Sequence, residues 1–459
     1  MNWILPIGRP LAGLVYCIFP MVTSFRWMGV FRLLAVLNIG FIAYLLWVWM
    51  RHWKVPGYPA FLIAIMVISL PAFQVFSSYI STIPHGLGVT FALLALLSAN
   101  AGIEAKQYKK IGFFAGAIFF QIAALSFNQA SALFYCSALA VGLLMTDSSK
   151  FLKVWPKKLL CFAAVLAGAM VIYYVVFRYS ADIFSFRNVG KYDGRNFVKD
   201  YAQRWTWFIE RPMVETSSLW FITPQFNMQQ WSLRAVIYLM VLGAGMASHK
   251  IAAIIKYLAV MALFPVAYGI SLISSDPSTE YRTYAALGSV FIFAFFVGLY
   301  SLEIDRYKEF WRRSLLVTLS MVALMAAVVA NSTVTRYFVL CDSTEFRYTK
   351  SEIRAYLASG KELKVVHIIH VGATIAAAVQ RNEIGEPTNR HTPNVEPFVR
   401  AVLSELGYEK PVRITSVGSL EGPWIEMVFN KNNVQPSQVV LPPNTEGSLV
   451  INLSRVNFL

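Results

Sequence analysis

Apolar residues along this chain come in blocks of about 18–23, separated by short polar stretches. A block of that length, folded as a helix, crosses a hydrocarbon core of about 30 Å. The fold class is therefore predicted to be a polytopic α-helical membrane protein with about ten transmembrane helices. These helices are expected at residues 29–50, 58–80, 86–102, 110–126, 129–146, 157–178, 232–248, 254–273, 284–302 and 314–331.

The pattern changes near Asn331, after which the chain becomes polar and mixed. Strand-like runs alternate there with helix-like stretches. We predict a transmembrane domain over residues 1–331 and a small C-terminal α/β domain over residues 332–459. The strand-like runs are Leu363–His370, Val412–Val417 and Ser448–Leu453, and the helix-like stretches are Ser351–Ser359 and Glu396–Glu405.

The composition excludes an ordinary soluble enzyme. Only 14% of the residues are charged and 57% are apolar, whereas a soluble domain carries roughly a quarter charged residues. The formal net charge is +16, and almost all of the basic excess lies in the first 331 residues. An excess confined to the membrane part indicates topology, and no nucleic-acid partner is expected.

Basic residues of the membrane part fall almost entirely in alternate loops, which by the positive-inside rule face the cytoplasm. The long loop 179–231 and residues 332–459 then lie outside, which in a bacterium is the periplasmic face of the inner membrane. Aromatic residues in 179–231 predict one or two helices on the outer leaflet. The cytoplasmic set is Arg51, Lys54, Lys106, Lys109, Lys110, Lys150, Lys153, Lys157, Lys158, Lys250, Lys256, Arg306, Lys308, Arg312 and Arg313.

The outer loop Ser274–Arg282 holds the densest group of charges at the predicted outer boundary. It contains two carboxylates, Asp276 and Glu280, followed by Arg282 at the start of a helix. An arginine can clamp a lipid phosphate, and a carboxylate beside it can take a proton from an acceptor hydroxyl. Alternatively, Asp276 caps the helix and Glu280 complements its dipole.

No acidic residue lies in the middle of a predicted span, which argues against a proton-coupled pump.

Three further polar residues lie at the same predicted level. Arg9 precedes a short apolar segment, residues 10–24, that is more typical of an interfacial or re-entrant helix than of a span. Its guanidinium either meets a phosphate or sugar, or extends from the segment to the membrane surface. Asn128 and Gln129 separate two apolar blocks without a true loop. They either hydrogen-bond sugar hydroxyls or cap helix ends.

No metal or cofactor is expected. The cysteines and histidines are scattered, and His367 and His370 point to opposite faces of a strand-like run. Neither a Walker loop nor a dinucleotide fingerprint occurs in the sequence.

An enzyme acting outside the cytoplasm needs a donor that has already crossed the membrane, and a lipid-phosphate-linked sugar meets that need.

The order of these features resembles the bacterial type II glucosyltransferases of O-antigen modification, within the C-type, polyprenyl-phosphate-sugar-dependent superfamily. The resemblance covers residues 5–331 and rests on Gly8-Arg9-Pro10-Leu11, the break at Leu125-Ser-Phe-Asn-Gln129, and Tyr281-Arg282. At the break, this chain has Asn128 where the family pattern Leu-Ser-x-Tyr-Gln has tyrosine. The resemblance implies transfer of glucose or a similar sugar from a polyprenyl-phosphate carrier to a surface glycan at the periplasmic face.

The superfamily also places its key acid after a first span and before the Gly-Arg segment. This sequence starts at Met1-Asn2-Trp3 with neither feature, so we expect a shortened N-terminus or compromised activity. Asp276 and Glu280 are considered as substitutes for that acid, and Arg9, Asn128, Gln129 and Arg282 as the substrate-binding residues. Two other functions stay open: a carrier or flippase for lipid-linked glycans, for which Arg32 is the one candidate pathway residue, and a non-catalytic membrane scaffold.

Overall fold

The computed structural model describes residues 9–18, 25–183, 197–221, 229–247, 249–275, 280–302, 308–369, 392–417 and 447–453. Of these described residues, 83% are helical, and the strands among them form one small sheet. Two compact units divide the chain: Met1–Met21 with Phe31–Asn331, and Val22–Val30 with Ser332–Leu459.

The first unit is built from helices. Short 3-10 turns at Ile80–Thr82 and Tyr281–Thr283 and π-helical turns at Ile209–Met213 and Phe293–Val297 interrupt the series. In chain order the α-helices are α1 (Pro10–Ile18), α2 (Phe25–His52), α3 (Gly57–Ile68), α4 (Pro71–Ser78), α5 (Ile83–Glu104), α6 (Gln107–Phe127), α7 (Gln129–Ala132), α8 (Phe134–Ser137), α9 (Leu139–Met145), α10 (Ser148–Ile183), α11 (Tyr201–Phe208), α12 (Val214–Ser217), α13 (Gln229–Met246), α14 (Lys250–Ala267), α15 (Gly269–Ile273), α16 (Ala285–Ile292), α17 (Gly298–Ser301) and α18 (Lys308–Thr333).

Six helical stretches among the described residues are long and apolar enough to cross a membrane: Gly29–His52, Ile83–Glu104, Gln107–Phe127, Ser148–Val176, Lys250–Ala267 and Arg313–Arg336. The pair α3 and α4, bent by 66°, makes a seventh if it is counted as one broken span. Each of the ten apolar blocks is helical, but the remaining ones are short or interrupted. The structure is thus that of an α-helical membrane protein, and the prediction of ten crossings stays a prediction.

The bend between α3 and α4 has a local cause. Proline lacks an N–H and disfavours helical backbone in the residue before it, and Leu70, just before Pro71, is extended at ψ 150°. The side-chain amide of Gln74 donates to the carbonyl of Ser69 (2.8 Å), so the break does not leave that carbonyl unsatisfied. The chain therefore bends at a fixed position between α3 and α4, inside the apolar unit.

The break between α6 and α7 lies at Asn128, which is extended (φ −160°, ψ 122°). Helix α5 approaches this break closely at Gly88, where an added Cβ would lie 3.0 Å from Cβ of Ser131. An added Cβ would crowd the Ser131 side chain, so glycine favours this close approach. The two polar residues at the break are thereby packed against the first turns of α5.

Side chains from three helices meet on the side of the unit that the sequence assigns to the cytoplasm. Oε1 of Glu104 lies 3.3 Å from Nε2 of His52 and 3.4 Å from Nζ of Lys158. The Lys158 ammonium also lies 4.7 Å from the centre of the Trp53 ring. This contact agrees with an up-and-down course of α2, α5 and α10, in which these loops share one end of the unit.

The second unit combines a parallel sheet with two helices, α19 (Leu340–Ala358) and α20 (Thr392–Glu405). Its strands are β1 (Val365–Ile369), β2 (Arg413–Val417) and β3 (Ser448–Asn452), in the order β2-β1-β3. Val366, Ile368 and Ile451 are buried in its core. The predicted strands are confirmed to within a few residues, whereas the predicted helix Ser351–Ser359 is the end of the longer α19.

On β1, burial lowers the pKa of the His367 imidazole; His370 lies outside the described residues.

Candidate functional site

Arg9 and Gln129, both singled out from the sequence, are in direct contact. Nε of Arg9 donates a hydrogen bond to Oε1 of Gln129 (3.0 Å), and Nε2 of Gln129 donates to the Tyr173 hydroxyl (2.9 Å). Helix α1, which begins at the next residue after Arg9, packs against α5 and α6. The guanidinium of Arg9 is therefore oriented by a chain of polar contacts across three parts of the unit.

Asn128 caps a helix, as one of the two interpretations of its sequence context predicts. Its Oδ1 accepts from the backbone N–H of Ser131 (2.9 Å), and the side chain is 1% exposed. Within the described part of the chain, its Nδ2 has no hydrogen-bond partner. The cap uses only the acceptor half of the amide, so the donor half is available to a ligand.

Arg282 lies in the 3-10 turn Tyr281–Thr283 and is held by the neighbouring carboxylate. Its Nε donates to Oε2 of Glu280 (2.6 Å), and its Nη2 forms an ion pair with the same oxygen. About a third of the Arg282 side chain is exposed. Glu280 is thus engaged with a guanidinium, which suits it to orienting Arg282. Asp276 lies outside the described residues.

His85 lies in the first turn of α5. Its ring is 4% exposed, and both Arg282 and Arg9 act on it electrostatically. Among the described residues Nδ1 of His85 has no hydrogen-bond partner. A buried polar nitrogen without a partner is costly, which makes it a candidate contact for a ligand. Sequence reasoning missed His85, because a lone histidine in an apolar block looks like a packed core residue.

A small, partly open cleft lies at Tyr281, next to Arg282. Its wall comes from the corner between α3 and α4, from α12, and from the turn that precedes α16. Glu215 is the one carboxylate that lines it, among the described residues, and Tyr281 and Tyr284 face it. Tyr281 and Arg282 are consecutive, so the cleft adjoins Arg282.

Aromatic rings form a row behind the cleft. Ring centres lie 6.0 Å apart for Tyr281 and Tyr284, 5.7 Å apart for Tyr284 and Tyr268, and 6.1 Å apart for Tyr268 and Trp207. Arg204 stacks over Trp207 at 5.0 Å. The row connects the segment 197–221 to the helices α14 to α16.

Arg204 also fixes that segment to the loop of Asp276. Its Nη2 donates to the carbonyls of Ser274 (2.9 Å) and Ser275 (2.8 Å), and its side chain is buried. Two parts of the chain that the topology prediction assigns to the outer face are therefore joined by charge-assisted hydrogen bonds. The sequence offered only one signal for this, the clustering of tryptophans around Arg204.

Comparison of the chain with family models, with curated proteins and with solved structures gives no match in any of the three. Across the described part of the chain, no group of three or more histidine, cysteine and acidic side chains is arranged to hold a metal ion. What the site offers is two guanidinium groups and a buried imidazole next to a cleft lined by a carboxylate and tyrosines.

Proposed function

We propose that this protein is an integral membrane glycosyltransferase. It moves glucose or a similar sugar from a polyprenyl-phosphate carrier onto a cell-surface glycan of the O-antigen type. The reaction takes place at the periplasmic face of the bacterial inner membrane, as in the type II glucosyltransferases that the sequence resembles. In this proposal the chain crosses the membrane about ten times, and residues 332–459 form a periplasmic domain.

The observation that carries the proposal is that Arg9 and Arg282 both lie within electrostatic range of the buried His85. These residues come from distant parts of the sequence, and both guanidinium groups act on the same buried ring. Two positive charges beside a buried nitrogen without a partner in the described part of the chain favour an anionic ligand. A phosphate gains negative charge when its sugar leaves, and fixed guanidinium groups stabilise that charge.

The surroundings favour a lipid as the carrier of that phosphate. His85 lies in α5, which is apolar and long enough for a bilayer, so a polyprenyl chain has an apolar environment beside this helix. Gln129 orients Arg9 toward the substrate, and Asn128, the residue before it, supplies its Nδ2 to a sugar hydroxyl. Asp276 and Glu280 remain the acids proposed from the sequence, and Glu280 additionally orients Arg282.

The experiment uses the purified full chain in nanodiscs with radiolabelled undecaprenyl-phosphate glucose and an O-antigen glycan acceptor. We expect transfer by the wild-type protein and a loss of at least about 100-fold in R282A, because a charge-stabilising donor of the transition state is removed. The matched control is R211A, since Arg211 is exposed in the same outer segment. Full activity of a folded R282A, or transfer by neither protein from this donor or from other undecaprenyl-phosphate hexoses, overturns the proposal.

A further inference from the structure

We infer that α11 lies in the plane of the membrane surface, with one face inserted among the lipids of the outer leaflet. That face is a row of three residues at four-residue spacing, which we call the α11 stripe: Tyr201, Trp205 and Ile209. The sequence predicts one or two helices on this leaflet within 179–231, and the contacts of α11 single out one helix and one of its faces. The partner is a lipid surface, whether or not the protein transfers sugar.

Three sectors run along α11, and each has a different exposure. The sector of Arg204 and Phe208 is buried, with side chains 9% and 2% exposed. The α11 stripe lies beside it, with exposures of 59% for Tyr201, 48% for Trp205 and 48% for Ile209. Ile209 follows the helix directly and has helical backbone (φ −67°, ψ −44°), so at about 3.6 residues per turn the stripe stays on one side. The third sector is polar and exposed, and it contains Gln203, Thr206 and Glu210.

A helix divided in this way suits the boundary between membrane and water. One side packs on the protein, the next meets an apolar surrounding and the third meets water. Tyrosine and tryptophan carry a hydroxyl or an N–H on an apolar ring, and they are therefore enriched at headgroup depth. Water around the whole exposed part of α11 would instead surround three large apolar side chains in one row.

The contacts of α11 place it at the end of a helix that can span a membrane. The ring centres of Phe208 and Tyr268 lie 5.8 Å apart, and those of Trp207 and Tyr268 lie 6.1 Å apart. Tyr268 directly follows Ala267, the last residue of α14, and α14 is long and apolar enough to cross a membrane. Helix α11 therefore lies at the level where this span ends, which is the headgroup level of one leaflet.

Exposed apolar surface continues from this span to the α11 stripe. Val266 in α14 is 43% exposed, and Ile273 in α15 is 47% exposed. Phe197, which is 72% exposed, forms a β-bridge with Ser274, the residue after Ile273. Tyr201, the first residue of the stripe, lies four residues after Phe197. Because the stripe adjoins the apolar surface of a span, lipid is the partner that covers both.

Polar contacts fix α11 to the rest of the unit. Oδ1 of Asp200 accepts from the backbone N–H of Gln203 (2.9 Å) and so caps the start of the helix. Nη2 of Arg204, in the buried sector, donates to the carbonyls of Ser274 and Ser275. Lipid that holds the α11 stripe therefore also holds in place the outer loop that begins at these two serines.

The test measures the depth of single positions in the full chain, reconstituted in nanodiscs of phosphatidylethanolamine and phosphatidylglycerol. The variants Y201C, W205C and I209C, each made in a background without other cysteines, carry a nitroxide spin label. We expect oxygen, which concentrates in lipid, to relax these labels several-fold more than a water-soluble nickel chelate does. The matched controls are Q203C and T206C on the polar sector of the same helix, where the nickel chelate is expected to have the larger effect.

Equal access of the nickel chelate to the stripe positions and to the controls overturns the inference, because the stripe then faces water. Low access of both reagents to the stripe also overturns it, because protein then covers the stripe. Should a labelled variant fail to fold, native Trp205 carries the test. Brominated lipids are expected to quench the tryptophan fluorescence of the wild-type protein more than that of W205F, and equal quenching overturns the inference.

None of these readouts uses sugar transfer. A protein that transfers no sugar can still carry α11 in the outer leaflet, and an active enzyme can still hold α11 in water. The failure of this inference and the failure of the proposed function are therefore distinguishable.

Discussion

Polar residues at the break between α6 and α7 serve the backbone and the proposed ligand with different atoms. Oδ1 of Asn128 satisfies an N–H of α7, which lipid cannot do. Its Nδ2 has no partner among the described residues. Gln129, the next residue, uses its Oε1 to orient Arg9. Helix capping and ligand binding are therefore compatible roles for this pair, because different side-chain atoms serve each role.

Asn128 variants separate its two roles. N128A loses the cap and is expected to lower the free energy of unfolding by about 1 kcal/mol, whereas N128S retains a capping oxygen. Both variants lack the amide donor and are expected to lose about tenfold in sugar transfer, the cost of one missing hydrogen bond. Thermal unfolding and transfer rates of the two proteins check this. Normal transfer by N128S would mean that the amide only caps the helix.

At the scale of elements, interruptions in the helices shape the cleft. The corner between α3 and α4 supplies one wall, and the π-helical turn Ile209–Met213 precedes the helix that carries Glu215. Pro212 lies inside that turn and cannot donate a backbone hydrogen bond. A π-helical turn adds one residue to a helical turn, and so it rotates the residues that follow by about 100°. Such turns are frequent at functional sites.

The variant P212A removes the cause of this turn. We expect the segment to return toward regular α-helix, so that Glu215 turns away from the cleft. Sugar transfer is expected to fall at least about tenfold, because the cleft wall beside Arg282 is then displaced. The free energy of unfolding is expected to stay equal or rise, because a backbone donor is regained. P156A is the matched control, since Pro156 is an exposed proline inside α10. Unchanged transfer by P212A would show that sugar transfer does not depend on this turn.

The sequence predicts elements better than it predicts the site, for a physical reason. Helices follow from local apolar periodicity, so all ten apolar blocks are helical and the three strands of the second unit lie close to where they are expected. Arg9 and Arg282 stand out because charges at the ends of apolar blocks are visible locally. His85 and Glu215 do not, because only long-range packing decides which buried ring or which of several outer acids faces a cleft.

At the scale of the whole molecule, the proposed site and the basic loops must lie on opposite faces of the membrane. In a background without cysteines, K106C is expected to react with a membrane-impermeant maleimide only after the cells are permeabilised, because its loop is cytoplasmic. K199C and K361C are expected to react in intact spheroplasts; all three lysines are exposed. Labelling of positions 106 and 199 from the same side would contradict this topology.

Whether Arg9 and Arg282 bind one lipid phosphate is tested most directly by measuring the binding of radiolabelled undecaprenyl phosphate to the full chain in nanodiscs. We expect R9A and R282A each to raise Kd at least about tenfold, because each removes a charge-assisted contact worth about 1.5–3 kcal/mol. The exposed control R211A is expected to bind like the wild-type protein. Wild-type affinity in both R9A and R282A would contradict the claim that the two arginines bind one lipid phosphate.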